Sequence, residues 1–169
     1  METAARLSRR HLLTGRLRGE TAPLPIRPPW TDEAAVLDAC TACGACLAAC
    51  PEKILYADAN GHPVVSFLEK ECTFCGACAD ACPEPVIGSR STPAFNHRAS
   101  IGASCFAPRG IHCQACGDAC PEAAIRFRPR IGGPPMPDIA QSHCTGCGAC
   151  VSVCPADAVS LQVPETAHD

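Results

Sequence analysis

Apolar residues along this chain come in short runs separated by turn residues, and the runs have the length of strands. Lys53-Ile54-Leu55-Tyr56 and Pro63-Val64-Val65-Ser66-Phe67 flank Asn60-Gly61, a strong short-range signal for a β-hairpin. Val86-Ile87-Gly88 reads as another short strand. In the second half, Ala124-Ile125-Arg126-Phe127-Arg128 reads as a strand, Gly132-Gly133-Pro134-Pro135 as its turn and Pro137-Asp138-Ile139-Ala140 as a weak return strand. Ala158-Val159-Ser160-Leu161-Gln162-Val163 closes that half. Thr31 or Asp32 can N-cap a short helix from Glu33 to Ala39. Ser89 to Ser104 is polar, with Pro93 and isolated apolar residues, and reads as a linker. These elements predict an α+β chain in which one arrangement is built twice.

Cysteine supplies the chemistry. The chain has 169 residues and 16 cysteines. Cys40, Cys43, Cys46 and Cys50 stand in the spacing C-x2-C-x2-C-x3-C, followed by Pro51. The pattern returns at Cys72, Cys75, Cys78, Cys82 and Pro83, and at Cys144, Cys147, Cys150, Cys154 and Pro155. A further copy, third in chain order, is stretched at its front: Cys105, then Cys113, Cys116, Cys120 and Pro121. This is the run that holds 4Fe-4S clusters in bacterial ferredoxins. Three sulfurs wrap one cube, while the fourth, about one helical turn on, reaches the other cube of a pair. Glycine after the second cysteine (Gly44, Gly76, Gly148) lets backbone amides come close to the inorganic sulfides.

The fold class that follows is α+β: two tandem ferredoxin-like two-cluster units with short strands, hairpins and short helices. Cross-ligation then pairs the cysteines. Site one takes Cys40, Cys43, Cys46 and Cys82. Site two takes Cys72, Cys75, Cys78 and Cys50. Site three takes Cys105, Cys113, Cys116 and Cys154. Site four takes Cys144, Cys147, Cys150 and Cys120. Four 4Fe-4S clusters are expected, with a three-iron or labile cluster as the alternative at the stretched third site. The expected layout is a basic arm over 1–35, the first unit over 36–92, a linker over 93–104, the second unit over 105–163 and a tail over 164–169.

Two other readings compete for the cysteines. Paired C-x2-C could make zinc sites with four thiolates, and this cysteine density also suits a disulfide scaffold. The repeated x3 spacing before Cys-Pro favours cubes over both. His112 and His143 each precede a cysteine but read as neighbours, since full cysteine sets are present. Phe74 and Phe106 lie inside motifs and are expected to shield clusters from water. Lys53, Lys70, Arg126 and Arg128 read as surface charges. With one Trp, one Tyr and five Phe, the chain has little material for a core of its own, so cluster loading is expected to couple to folding.

Charge separates head from body. The formal net charge is −3, and four oxidised cubes with their thiolates would carry the loaded protein to about −11. Six of the fourteen Lys and Arg lie in the first thirty residues: Arg6, Arg9, Arg10, Arg16, Arg18 and Arg27. Ser8-Arg9-Arg10-His11-Leu12-Leu13 looks like the start of a twin-arginine export signal, but Thr14-Gly15-Arg16-Leu17-Arg18-Gly19-Glu20 breaks the apolar stretch such a signal needs. A non-exported tail is expected, either a solvated arm or a docking arm for an acidic partner. Thiolates that load iron need reducing conditions, which favours the cytoplasm. Trp30, after Arg27-Pro28-Pro29, is expected to pack on the first unit. No stretch approaches the ~18 apolar residues of a membrane helix. A nucleic-acid partner would rest on the arginine-rich head alone. No nucleophile–base set, phosphate-binding glycine loop or paired acid site is visible, so no enzyme activity is expected.

The head and motifs together resemble one family. Four ferredoxin motifs with a stretched third copy are similar to those of the NapF family, ferredoxin-type accessory proteins of periplasmic nitrate reductase systems. So are Ser8-Arg9-Arg10-His11-Leu12-Leu13-Thr14-Gly15-Arg16, Ile26-Arg27-Pro28-Pro29-Trp30, Ile125-Arg126-Phe127-Arg128-Pro129 and Cys144-Thr145-Gly146-Cys147-Gly148-Ala149-Cys150. The resemblance implies a cytoplasmic protein that binds the precursor of the molybdenum catalytic subunit and assists its maturation before export. The residues by themselves leave a plain electron carrier, with four clusters in a row, as the competing reading, and clusters that only hold the fold as a third.

Overall fold

The computed structural model describes residues 25–163. The export-signal reading, the arginines from Arg6 to Arg18 and the 164–169 tail lie outside the described residues. Helix α1 (Glu33–Ala39) begins at Asp32, whose side chain accepts from the Ala35 N–H at 2.7 Å. That satisfies one of the donors a helix start leaves free. The helix ends at Cys40, so it delivers the chain straight into the first motif.

Strands β1 (Leu55–Ala57) and β2 (Pro63–Val65) form the expected hairpin, with Leu55 opposite Val65 and Ala57 opposite Pro63. Asp58 shapes its loop by accepting from the Asn60 and His62 amides at 2.8 and 3.0 Å. In the second half, β4 (Ile125–Arg130) pairs antiparallel with β5 (Gly133–Ile139), Ile125 lying opposite Ile139. The turn is tighter than expected. Gly133, Pro134 and Pro135 already belong to β5, and Ile131-Gly132 makes the corner. A two-stranded ribbon has two open edges, so β5 tolerates prolines that a central strand would not.

Three further expectations fail, for identifiable reasons. Val86-Ile87-Gly88 is a turn, not a strand. In the other three motifs the third residue after the last cysteine is left-handed: Lys53 (φ 59), Ala123 (φ 47) and Asp157 (φ 46). A strand then follows. The matching residue of the second motif is Pro85, whose ring holds φ near about −65°. It cannot make that turn, and the strand is lost. The chain is tied instead by the Gly88 N–H to the Trp30 carbonyl at 2.7 Å and the Trp30 N–H to the Ala94 carbonyl at 2.8 Å.

The second correction concerns the linker over 93–104. It contains strand β3 (Arg98–Ile101), which pairs antiparallel with β6 (Val159–Gln162). Ala99 is buried, as are Phe95 and His97 just before the strand. The run has no strong strand former besides Ile101, and its distant partner decides its conformation. The arm boundary at 35 moves too. Arg27 is buried, with Nε and Nη2 on the Glu33 carboxylate at 2.6 and 2.8 Å. Its Nη1 donates to Asp58 at 3.2 Å and to the Pro63 carbonyl at 3.0 Å. Residues from Arg27 onward are therefore pinned to the first hairpin and α1. Trp30 is half-buried, with the Arg90 guanidinium 5.9 Å above its ring.

The core is in two parts. Ile54, Leu55, Val65, Phe67 and Phe95 pack with Cys50, Cys72 and Cys78. Ala99, Ile125 and Val159 pack with Cys116 and Cys150. Cysteines are thus members of both cores. Half-buried Val151 and Leu161 touch both, which joins the halves of the chain. Among the described residues, no helix is long and apolar enough to cross a membrane.

Candidate metal centres

Each motif has one local design. A short helix follows the second cysteine and carries the third: α2 (Ala45–Ala49) with Cys46, α3 (Ala77–Asp80) with Cys78, α4 (Ala115–Asp118) with Cys116 and α5 (Ala149–Ser152) with Cys150. Gly44, Gly76 and Gly148 begin their helices in the left-handed region. The third motif differs, with Gln114 at φ −131 in that place. Its stretched front closes on itself: the Arg109 and Ile111 amides both donate to the Phe106 carbonyl, at 3.0 and 3.1 Å. The five extra residues form a compact loop and return the chain to the same hollow.

The folding brings the sixteen cysteines together in fours. One hollow is lined by Cys40, Cys43, Cys46 and Cys82. A second is lined by Cys50, Cys72, Cys75 and Cys78. A third is lined by Cys105, Cys113, Cys116 and Cys154, and a fourth by Cys120, Cys144, Cys147 and Cys150. In every hollow three cysteines come from one motif and the fourth from its partner motif. All sixteen are free thiols. Among the described residues, no three His, Cys, Asp or Glu side chains converge as they would around a single metal ion. Four cysteines around each hollow, three from one motif and the fourth from its partner motif, are the donor set of paired 4Fe-4S cubes in bacterial ferredoxins.

Apolar side chains complete the linings. Leu47, Val86 and Ile87 face the first hollow, Phe74 the second and Phe106 the third. His112 and His143 are exposed and line none of the four. Backbone donors the sequence did not reveal point at ligand sulfurs. The Ala124 N–H lies 3.3 Å from Cys120 Sγ, the Ala158 N–H 3.3 Å from Cys154 Sγ and the Ala99 N–H 3.5 Å from Cys144 Sγ. Such bonds favour negative charge on sulfur and tune a cluster's potential. Ala99 lies on β3, so the unexpected strand serves site four.

Burial dominates the chemistry of the thiols. Desolvation, then neighbouring cysteines, pushes Cys116 up to about 11 and Cys150 to about 12. Cys72 and Cys78 are pushed up to about 11, again first by burial. Burial thus favours the protonated thiol, and iron bound there would offset the buried negative charge, so that loading would release protons and supply folding energy together.

The fold and its hollows define a ferredoxin-type iron–sulfur protein with two dicluster regions. Residues 39–86 and 109–158 both match the family of 4Fe-4S dicluster domains. Over 156 residues, 92% of this chain and 94% of the relative, the sequence is 44% identical to ferredoxin-type protein NapF of Escherichia coli (strain K12). It is 43% identical over 137 residues, 80% of this chain and 78% of the relative, to ferredoxin-type protein NapF of Haemophilus influenzae (strain ATCC 51907 / DSM 11121 / KW20 / Rd). The chain belongs to the NapF family of ferredoxin-type proteins.

Proposed function

We propose that the chain holds four 4Fe-4S clusters on the four cysteine sets. In the cytoplasm it binds the precursor of the molybdenum catalytic subunit of a periplasmic nitrate reductase and assists its maturation before export. The observation that carries this reading is similarity to NapF relatives over 92% of the chain. The bound clusters would supply one-electron chemistry. The chain's own residues would hold them, direct amides at their sulfurs and, through Phe74, Phe106 and Leu47, limit water around them. Its role is that of a binding and redox partner, not an enzyme.

A second reading, an electron carrier that delivers electrons to a reductase, is favoured by the joined cores of the two halves. Cells lacking the protein separate the two. Nitrate reduction by the exported enzyme is assayed with an artificial dye donor and with the quinol path. Failure of both supports maturation, because the enzyme was never properly built. Normal dye activity with a failed quinol path supports the carrier and overturns maturation.

A further inference from the structure

The two units meet through the main chains of two ligand residues. The Cys72 N–H donates to the Cys147 carbonyl at 2.9 Å. Cys72 lines the second hollow and Cys147 the fourth. The packing around this bond is tight enough to exclude even a methyl group. A Cβ on Gly148 would fall 2.2 Å from Phe67 Cδ1, and one on Gly146 would fall 2.8 Å from the His97 carbonyl oxygen. His97 Nε2–H donates to the Gly146 carbonyl at 2.8 Å. The His97 ring lies 4.6 Å from Phe95 and 6.0 Å from Phe67, and all three residues are buried. Residues 146–150 are buried without exception.

Continuity within each unit is also visible. Cys46, of the first hollow, packs against the core that contains Cys50, Cys72 and Cys78, of the second. Cys116, of the third, and Cys150, of the fourth, share the other core. Among the described residues, no backbone hydrogen bond joins a cysteine of the first or third hollow to the opposite unit.

We propose that the four sites form one electron path in the order one, two, four, three, and that the Cys72–Cys147 junction is its crossing between units. The proposal rests on the reading that the sixteen cysteines hold four cubes. Each internal step moves one electron from a reduced site to its oxidised neighbour. No bond forms or breaks, and the count of electrons in the protein is unchanged.

Electron paramagnetic resonance of the dithionite-reduced holoprotein tests the order, because neighbouring reduced cubes split and broaden each other's lines. Three variants each remove one site: Cys43→Ala, Cys75→Ala and Cys113→Ala. Iron content is measured first, at about sixteen per unaltered chain and about twelve per variant. A shortfall in the unaltered protein would overturn the four-cube reading, and the order with it. With the iron in place, Cys75→Ala should leave site one as a narrow, isolated signal while sites three and four keep their mutual splitting. Cys43→Ala should leave the lines of the second unit unchanged, and Cys113→Ala should leave site four still split by site two, whereas a narrow, isolated site-four signal would put the crossing at site three and overturn the order. Site one still broadened in Cys75→Ala, or sites three and four narrowed in Cys43→Ala, overturns the order. If Cys75→Ala loses more than one cube, Cys75→Ser keeps an oxygen ligand at site two and is measured instead. Its altered site-two lines should shift the splitting of sites one and four together, and a shift confined to one of them overturns the proposal.

Discussion

The first and last motifs share one spacing and sit in opposite surroundings. Of residues 42–46 none is buried and Cys43 is exposed, whereas residues 146–150 are all buried beneath the first unit. The same left-handed position holds Ala42 in one and Gly146 in the other. Ala42 is exposed, with Gly61 of its own unit beside it, whereas Gly146 is buried against His97. The spacing builds the hollow in both cases. What packs on it sets how much water and charge the sulfurs see, which is among the levers on a cluster's potential.

The strongest way to break this comparison is to remove a ligand that crosses between motifs. Cys50→Ala should cost site two and spare site one, lowering iron content by about four per chain. Loss of site one alone would show that the sulfurs do not cross. Next comes a matched pair of glycine substitutions. Gly148→Ala combines left-handed strain with a direct clash on Phe67 and should cost about 2–5 kcal/mol. Gly44→Ala meets nothing within 4 Å and should cost only about 1–2 kcal/mol, from strain alone. The midpoint of thermal cluster bleaching ranks the two, and equal midpoints would erase the contrast.

Arg27→Ala is smaller and more local. It removes the buried cation between Glu33 and Asp58. The cost is about 2 kcal/mol, reduced from that of a fully buried pair because both carboxylates are partly exposed. Sites one and two should bleach before sites three and four. A uniform loss across all four would place Arg27 in a global role. Pro85→Ala should change stability by less than about 1 kcal/mol, and so shift the bleaching midpoint only slightly. A large loss at site one, which includes Cys82, would show that the proline sets the cradle as well as ending the strand.

The sequence carried the site further than it carried the fold. Cysteine spacing alone pointed to the fours that the hollows contain. Thiolate geometry around a cube leaves few alternatives, and the information lies within each motif. Helix α1 and the first hairpin were legible because Asp32 and Asn60-Gly61 act over a few residues. Strand β3 was not, since Arg98 to Ile101 takes its conformation from a partner about sixty positions away. Buried Arg27 was hidden as well, because nothing local says that Glu33 and Asp58 converge on it. The missing strand after the second motif did leave a signal. Pro85 stands where the other three motifs have a residue free to turn left-handed, and a comparison of the four copies would have found it.

The bond between Cys72 and Cys147 has a consequence for anyone who wants to rewire this molecule. Both partners are main-chain atoms, so no exchange of side chains removes either the donor or the acceptor, short of proline at position 72. A chain that keeps these two cysteines keeps the means to make the junction. Mutational drift elsewhere can loosen the surroundings without deleting the contact. Separating the halves cleanly would call for inserted residues between them, a change of length where a change of letter would not suffice.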